Sequence, residues 1–144
     1  MEGFSQIPDP AQLIPELDAI AKSGLRRMRS VYRYLSFLPS LTVLGGPEDT
    51  SLGVFRDAFT RFIQENDDLT GPTSEMALLL FGATDETRGQ NLEFRQREVG
   101  KVIVEGNTVT WEAVRKPKGR RYEVLEEIAH ALCDAERMAS QSPR

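Results

Sequence analysis

The chain is short of the residues that most often carry catalysis and metal binding. One cysteine, one histidine and one tryptophan occur in 144 residues. The lone Cys133 cannot close an internal disulfide, which fits a reducing compartment and makes the expected location cytoplasmic. His130 stands three residues before it, and a His-x-x-Cys pair cannot complete a tetrahedral zinc site alone. Nor does Cys133 have a recognisable base nearby to activate it as a nucleophile. No run of about 18 apolar residues is present, so no membrane span is expected, and the first residues lack a secretory leader pattern. Gly45-Gly46 is not followed by Lys-Ser/Thr, so it is no phosphate-binding loop. Asp67-Asp68 and Asp85-Glu86 fall in polar stretches, where paired carboxylates stay solvated. The expectation is therefore no catalytic residue, no cofactor and no metal.

What is present suits one globular domain. Apolar residues make up 40% and charged residues 28%, a balance that supports a packed core rather than disorder. The net charge is −4, whereas a dedicated nucleic-acid coat is usually basic. Positive charge is local instead. Between Arg95 and Arg121 lie eight Lys/Arg (Arg95, Arg97, Lys101, Arg115, Lys116, Lys118, Arg120, Arg121) against Glu98, Glu105 and Glu112. A second group is Arg26, Arg27, Arg29 and Arg33.

Apolar spacings of three and four predict a helix from Ala11 to about Leu38, with a kink or break near Ser23-Gly24 and a stop at Pro39. The Ser40–Pro47 stretch reads as a connector, with a brief strand at Leu41–Leu44 as the alternative. Asp49, Thr50 and Ser51 offer caps for a helix ending near Glu65, with Leu52, Phe55, Phe59, Phe62 and Ile63 along one core-facing side. After a turn-rich break, Met76–Phe81 predicts a short buried helix, and Gly82 can end it in a left-handed conformation.

The segment from Leu92 can form a helix-turn-helix. Val99, Val102 and Ile103 would face inward, Gly100 would allow close helix approach, and Trp111 and Val114 would be the inward pair of a second helix, capped by Asn107 or Thr108. This predicts helices over Leu92–Ile103 and Thr108–Lys116. The rival is a hairpin of Val102–Val104 against Thr108–Thr110 around Gly106-Asn107. Lack of any other strand to support a hairpin favours the helices. A closing helix carries Tyr122, Leu125, Ile128, Ala129 and Leu132 inward.

The pattern Leu80-Phe81-Gly82, Thr87-Arg88-Gly89, Leu92, Arg95-Gln96, Val99-Gly100, Thr110-Trp111, Leu125, Ala129 and Leu132 resembles a helix-turn-helix-like accessory or adaptor module common in actinobacterial proteins. More distantly it is similar to the DNA-binding fourth region of bacterial sigma factors. The resemblance spans about 55 residues and implies a module that sits beside effector domains. Two features depart from it: the turn Val104-Glu105-Gly106 is one residue longer than the usual tight turn, and Pro117-Lys118-Gly119 is inserted before the closing helix.

The sequence thus predicts an all-α single domain of five or six helices. Residues 1–69 form an N-terminal helical half, 70–139 a degenerate helix-turn-helix half, and 140–144 a frayed tail or linker. The leading function is a non-catalytic regulatory or adaptor module acting through protein contact with a partner or fused effector domain. The alternative is a small transcriptional regulator on duplex DNA. For either, the contact residues are Arg95, Arg97, Asn107, Thr108, Thr110, Arg115, Lys116, Lys118, Arg120 and Arg121. No membrane partner is expected, and homo-oligomerisation is open. Base-reading helices place Arg, Lys, Asn or Gln at their exposed start. Here the cations come only after Glu112, which suits phosphate contact better than base readout.

Overall fold

The computed structural model describes residues 7–46, 51–116 and 118–141. Among these the chain is mostly α-helical: seven α-helices, three 3-10 turns and one two-stranded hairpin. No described helix is long and apolar enough to cross a membrane.

Helix α1 (Pro10–Ser23) starts on Asp9, whose backbone N–H donates to Gln12 Oε1 at 2.9 Å. Proline at its first position suits the fixed φ of a helix start. Leu13, Leu17, Ile20 and Ala21 are buried along one stripe. The expected long helix to Leu38 breaks at Gly24, where φ is +80°. A 3-10 turn (Leu25–Arg27), the short α2 (Arg29–Tyr32) and two further 3-10 turns (Leu38–Ser40, Thr42–Leu44) replace it, and the strand alternative at 41–44 does not form.

Two carboxylates hold this irregular stretch. Glu16 of α1 accepts the backbone N–H groups of Ser36, Phe37 and Leu38, the shortest at 2.7 Å. Glu136 accepts those of Thr42 and Val43 at 2.9 and 3.1 Å. Charge-assisted bonds of this kind substitute for the ladder the segment lacks.

Helix α3 (Leu52–Glu65) is capped by Ser51 Oγ, which accepts from Val54 N–H. The proposed caps Asp49 and Thr50 lie outside the described residues. Phe55, Phe59 and Ile63 are buried, while Leu52 and Phe62 are half-buried. Phe59 meets Phe81 edge-on at 5.0 Å between ring centres, so the phenylalanine row packs against the end of α4 (Gly71–Leu80) as its apolar face requires. Helix α4 begins earlier than the apolar run suggests, because Thr70 accepts the Thr73 N–H and Pro72 fits the first turn.

The helix-turn-helix expectation fails between Gly100 and Thr110. Helix α5 (Leu92–Val99) stops at Gly100, and strands β1 (Ile103–Val104) and β2 (Asn107–Thr108) pair antiparallel, Ile103 with Thr108 and Val104 with Asn107. Glu105 and Gly106 both have positive φ, +53° and +86°, the geometry of the tight turn that matches strand twist. The second helix shrinks to α6 (Trp111–Arg115), capped by Thr110 instead of Asn107 or Thr108. Support for the hairpin comes from the core itself, since flanking Val102 and Val109 are buried at 4% and 8% exposure.

Helix α7 (Arg120–Gln141) closes the molecule, packing along α1 and also against α4, α6 and the Thr42–Leu44 turn. The two sequence halves therefore share one continuous core. Residues 140 and 141 extend α7, and the remainder of the expected tail lies outside the described residues.

Candidate functional site

The ten expected contact residues do not form one surface. Arg95 is the clearest correction. Its side chain is 1% exposed, so it cannot meet a phosphate or a partner. It sits where α1, α4 and the start of α5 converge. One terminal nitrogen donates to Ala21 O and Leu80 O at 2.5 Å each; Nε donates to Gln90 O at 3.0 Å; the other terminal nitrogen reaches Lys22 O at 3.3 Å. Helix C-termini leave carbonyls without intrahelical donors and carry partial negative charge, so a guanidinium fork satisfies both needs. Burial nevertheless lowers its pKa from the usual arginine range. Gly24 and Gly82, both at positive φ, make room: a Cβ at Gly82 would stand 3.2 Å from Arg95 Cδ.

Other cations of the segment are engaged locally. Arg120 pairs with Glu123 at 3.1 Å, and Arg121 reaches Asp18 at 3.4 Å, tying α7 to α1. Lys118 Nζ lies 4.3 Å from the Tyr122 ring centre. Lys116 is exposed at the end of α6. Arg26, Arg27, Arg29 and Arg33 are all exposed.

A compact cluster forms around Trp111. Arg97 on α5 and Arg115 on α6 place their guanidinium carbons 4.0 and 4.8 Å from its ring centre. Such contacts contribute about 0.5–1 kcal/mol at exposed sites. Arg97 is held further by Glu93, one turn earlier, at 3.2 Å. Trp111 is half-buried, not the core filler its spacing from the fully buried Val114 suggests. Its indole N–H has no acceptor among the described residues.

The backbone beneath the ring is tightly set. Thr110 donates to Gly100 O at 2.9 Å and caps α6 while holding φ at +77°, a costly conformation for a β-branched residue. A Cβ at Gly100 would lie 2.7 Å from Trp111 N, so only glycine allows this approach. Beyond it, Asn107 and Thr108 are exposed on β2, and Ile103 on β1 is 62% exposed instead of facing the core. Sequence spacing gave no signal for the stacking of Arg97 and Arg115 on one ring, because a hairpin separates them.

His130 is exposed, whereas Cys133 is buried and its thiol donates to Pro8 O at 3.0 Å. Burial pushes the thiol pKa up, which disfavours the reactive thiolate. No family model, curated protein or solved structure matches this chain.

Proposed function

We propose that the protein is a non-catalytic regulatory or adaptor module that works by protein contact, with Trp111, Arg97 and Arg115 as the centre of its contact surface. What supports this is the Trp111 cluster: a half-buried indole with two guanidinium groups over its ring, on a closely packed backbone. Tryptophan and arginine are among the residues that most often dominate interface energetics, tryptophan through the large area it buries and arginine through its planar fork of donors. Exposed Ile103 in the neighbouring hairpin adds apolar surface.

DNA reading fits less well. Helix α6 has five residues and Glu112 in its first turn, so it offers little to insert into a major groove and repels phosphate there. Charge alone favours the alternative, through Arg97, Arg115, Lys116 and Lys118.

Two measurements test the proposal together. Quantitative affinity capture with the wild-type chain, compared with a Trp111→Ala/Arg115→Ala variant of unchanged circular dichroism, should yield one partner that the variant loses. Duplex DNA should bind weakly at physiological salt, with a shallow salt dependence. Tight, sequence-dependent DNA binding with a log–log salt slope near about −5, as expected for five or six phosphate contacts, would overturn the proposal in favour of the transcriptional regulator.

A further inference from the structure

A second surface, away from Trp111, has a different chemistry. Along α3, Arg56, Thr60 and Gln64 each follow a member of the buried row Phe55, Phe59 and Ile63, so they stand together at the edge of the core. With Arg61 they form one wall of a cleft of about 650 Å³. Leu25 and Arg26, just past the end of α1, and Gly82, Ala83 and Arg88, past the end of α4, form the other. The Leu25 N–H donates to Phe81 O at 2.9 Å, which fixes those two segments to each other.

Four arginines thus line the cleft against one carboxylate, Asp57, in a protein of net charge −4. Arg88 pairs with Asp85 at 3.3 Å. Among the described residues, Arg26, Arg56 and Arg61 have no carboxylate partner. Arg56 Nε is shielded from solvent and has no acceptor there either. Behind the wall at Gly82 lies the Arg95 guanidinium, whose hydrogen-bond partners are all neutral carbonyls. The C-terminal ends of α1 and α4 offset its charge, so the positive field in the cleft comes from the four lining arginines.

We infer that this cleft binds a small polyphosphate-bearing anion. Its volume falls within the range of about 300–1,000 Å³ typical of small-ligand sites. Arginine forks match phosphate oxygens bidentately. A chain of tetrahedral phosphates can accept from guanidinium groups on both walls at once, whereas a lone carboxylate presents its two oxygens in one plane. The Thr60 hydroxyl and Gln64 amide supply further neutral donors. This site is independent of the Trp111 surface and of the function proposed for it.

Isothermal titration of the full chain with inorganic tripolyphosphate, with citrate as a carboxylate probe of somewhat lower charge, tests the assignment. Tripolyphosphate should bind one to one and raise the melting temperature, and citrate should bind more weakly. Arg61→Glu and Arg26→Gln, both at exposed positions and checked by circular dichroism, should each weaken tripolyphosphate by about tenfold or more. Arg33→Glu, exposed and not part of the cleft lining, should leave affinity within about twofold, since an exposed charge that makes no direct contact is screened by salt. Absence of tripolyphosphate binding, or equal losses in the Arg33 and Arg61 variants, would overturn the site. Citrate binding as tightly as tripolyphosphate would overturn the phosphate assignment.

Discussion

Arg95 and Arg97 lie two residues apart on one helix and do opposite work. Arg95 points inward and is consumed by four backbone carbonyls from three parts of the chain. Arg97 points outward, pairs with Glu93 and stacks on Trp111. About half a helix turn thus separates a cation that holds the fold together from one available to a partner. A run of basic residues in a sequence is therefore not evidence of a basic surface. Each residue has to be placed before its charge can be assigned to binding.

The largest expected effect comes from removing the buried member. Arg95→Ala should lower the unfolding free energy by about 3–5 kcal/mol in urea denaturation, because it leaves several carbonyls unpaired and opens a cavity. Arg95→Lys should recover only part of that loss, since an ammonium lacks the planar fork that reaches separate carbonyls. A loss below about 1 kcal/mol for Arg95→Ala would break the contrast, as that is the range of exposed charges.

Gly100→Ala should have an intermediate effect, about 1–3 kcal/mol, typical of forcing an extra methyl into a close contact. The added methyl would press on the Thr110–Trp111 backbone, so the tryptophan emission should shift together with the stability. The smallest effect belongs to the surface pair. Arg97→Ala and Arg115→Ala should each cost less than about 1 kcal/mol, given the usual strength of exposed cation–π contacts and ion pairs. If either matched Arg95→Ala, the cluster would be a structural element and not an available surface.

Much of the helical framework was legible in the sequence. The spacing of Leu13, Leu17 and Ile20, of Phe55, Phe59 and Ile63, and of Leu125, Ile128 and Leu132 marks buried stripes that the fold uses. Gly24 and Gly82 mark helix ends at which only a left-handed residue fits. Gly100 marks a close approach, although to an extended Thr110 and not to a second long helix.

The hairpin departs from the sequence expectation for a physical reason. Local preference does not separate strand from helix over residues 102–110, and an isolated two-stranded hairpin is marginal in water. It is not isolated: Val102 and Val109 anchor it in the core. Arg95 was illegible because its role depends on three segments meeting, and no local pattern encodes that meeting. The arginine cleft has no counterpart in the sequence reading: Arg56, Thr60 and Gln64 share one side of α3, but the opposite wall comes from residues 25–26 and 82–88, far away in the chain.

Trp111 is the only tryptophan in the chain, so its fluorescence reports on the proposed surface without interference from another indole. Iodide quenching of the native protein tests the account most directly. Two guanidinium groups beside a partly accessible ring should draw the anion in, so quenching by iodide relative to neutral acrylamide should be high and should fall in an Arg97→Ala/Arg115→Ala variant of equal stability. Blue-shifted emission that iodide cannot quench, unchanged by that double substitution, would place Trp111 in the core and contradict the account.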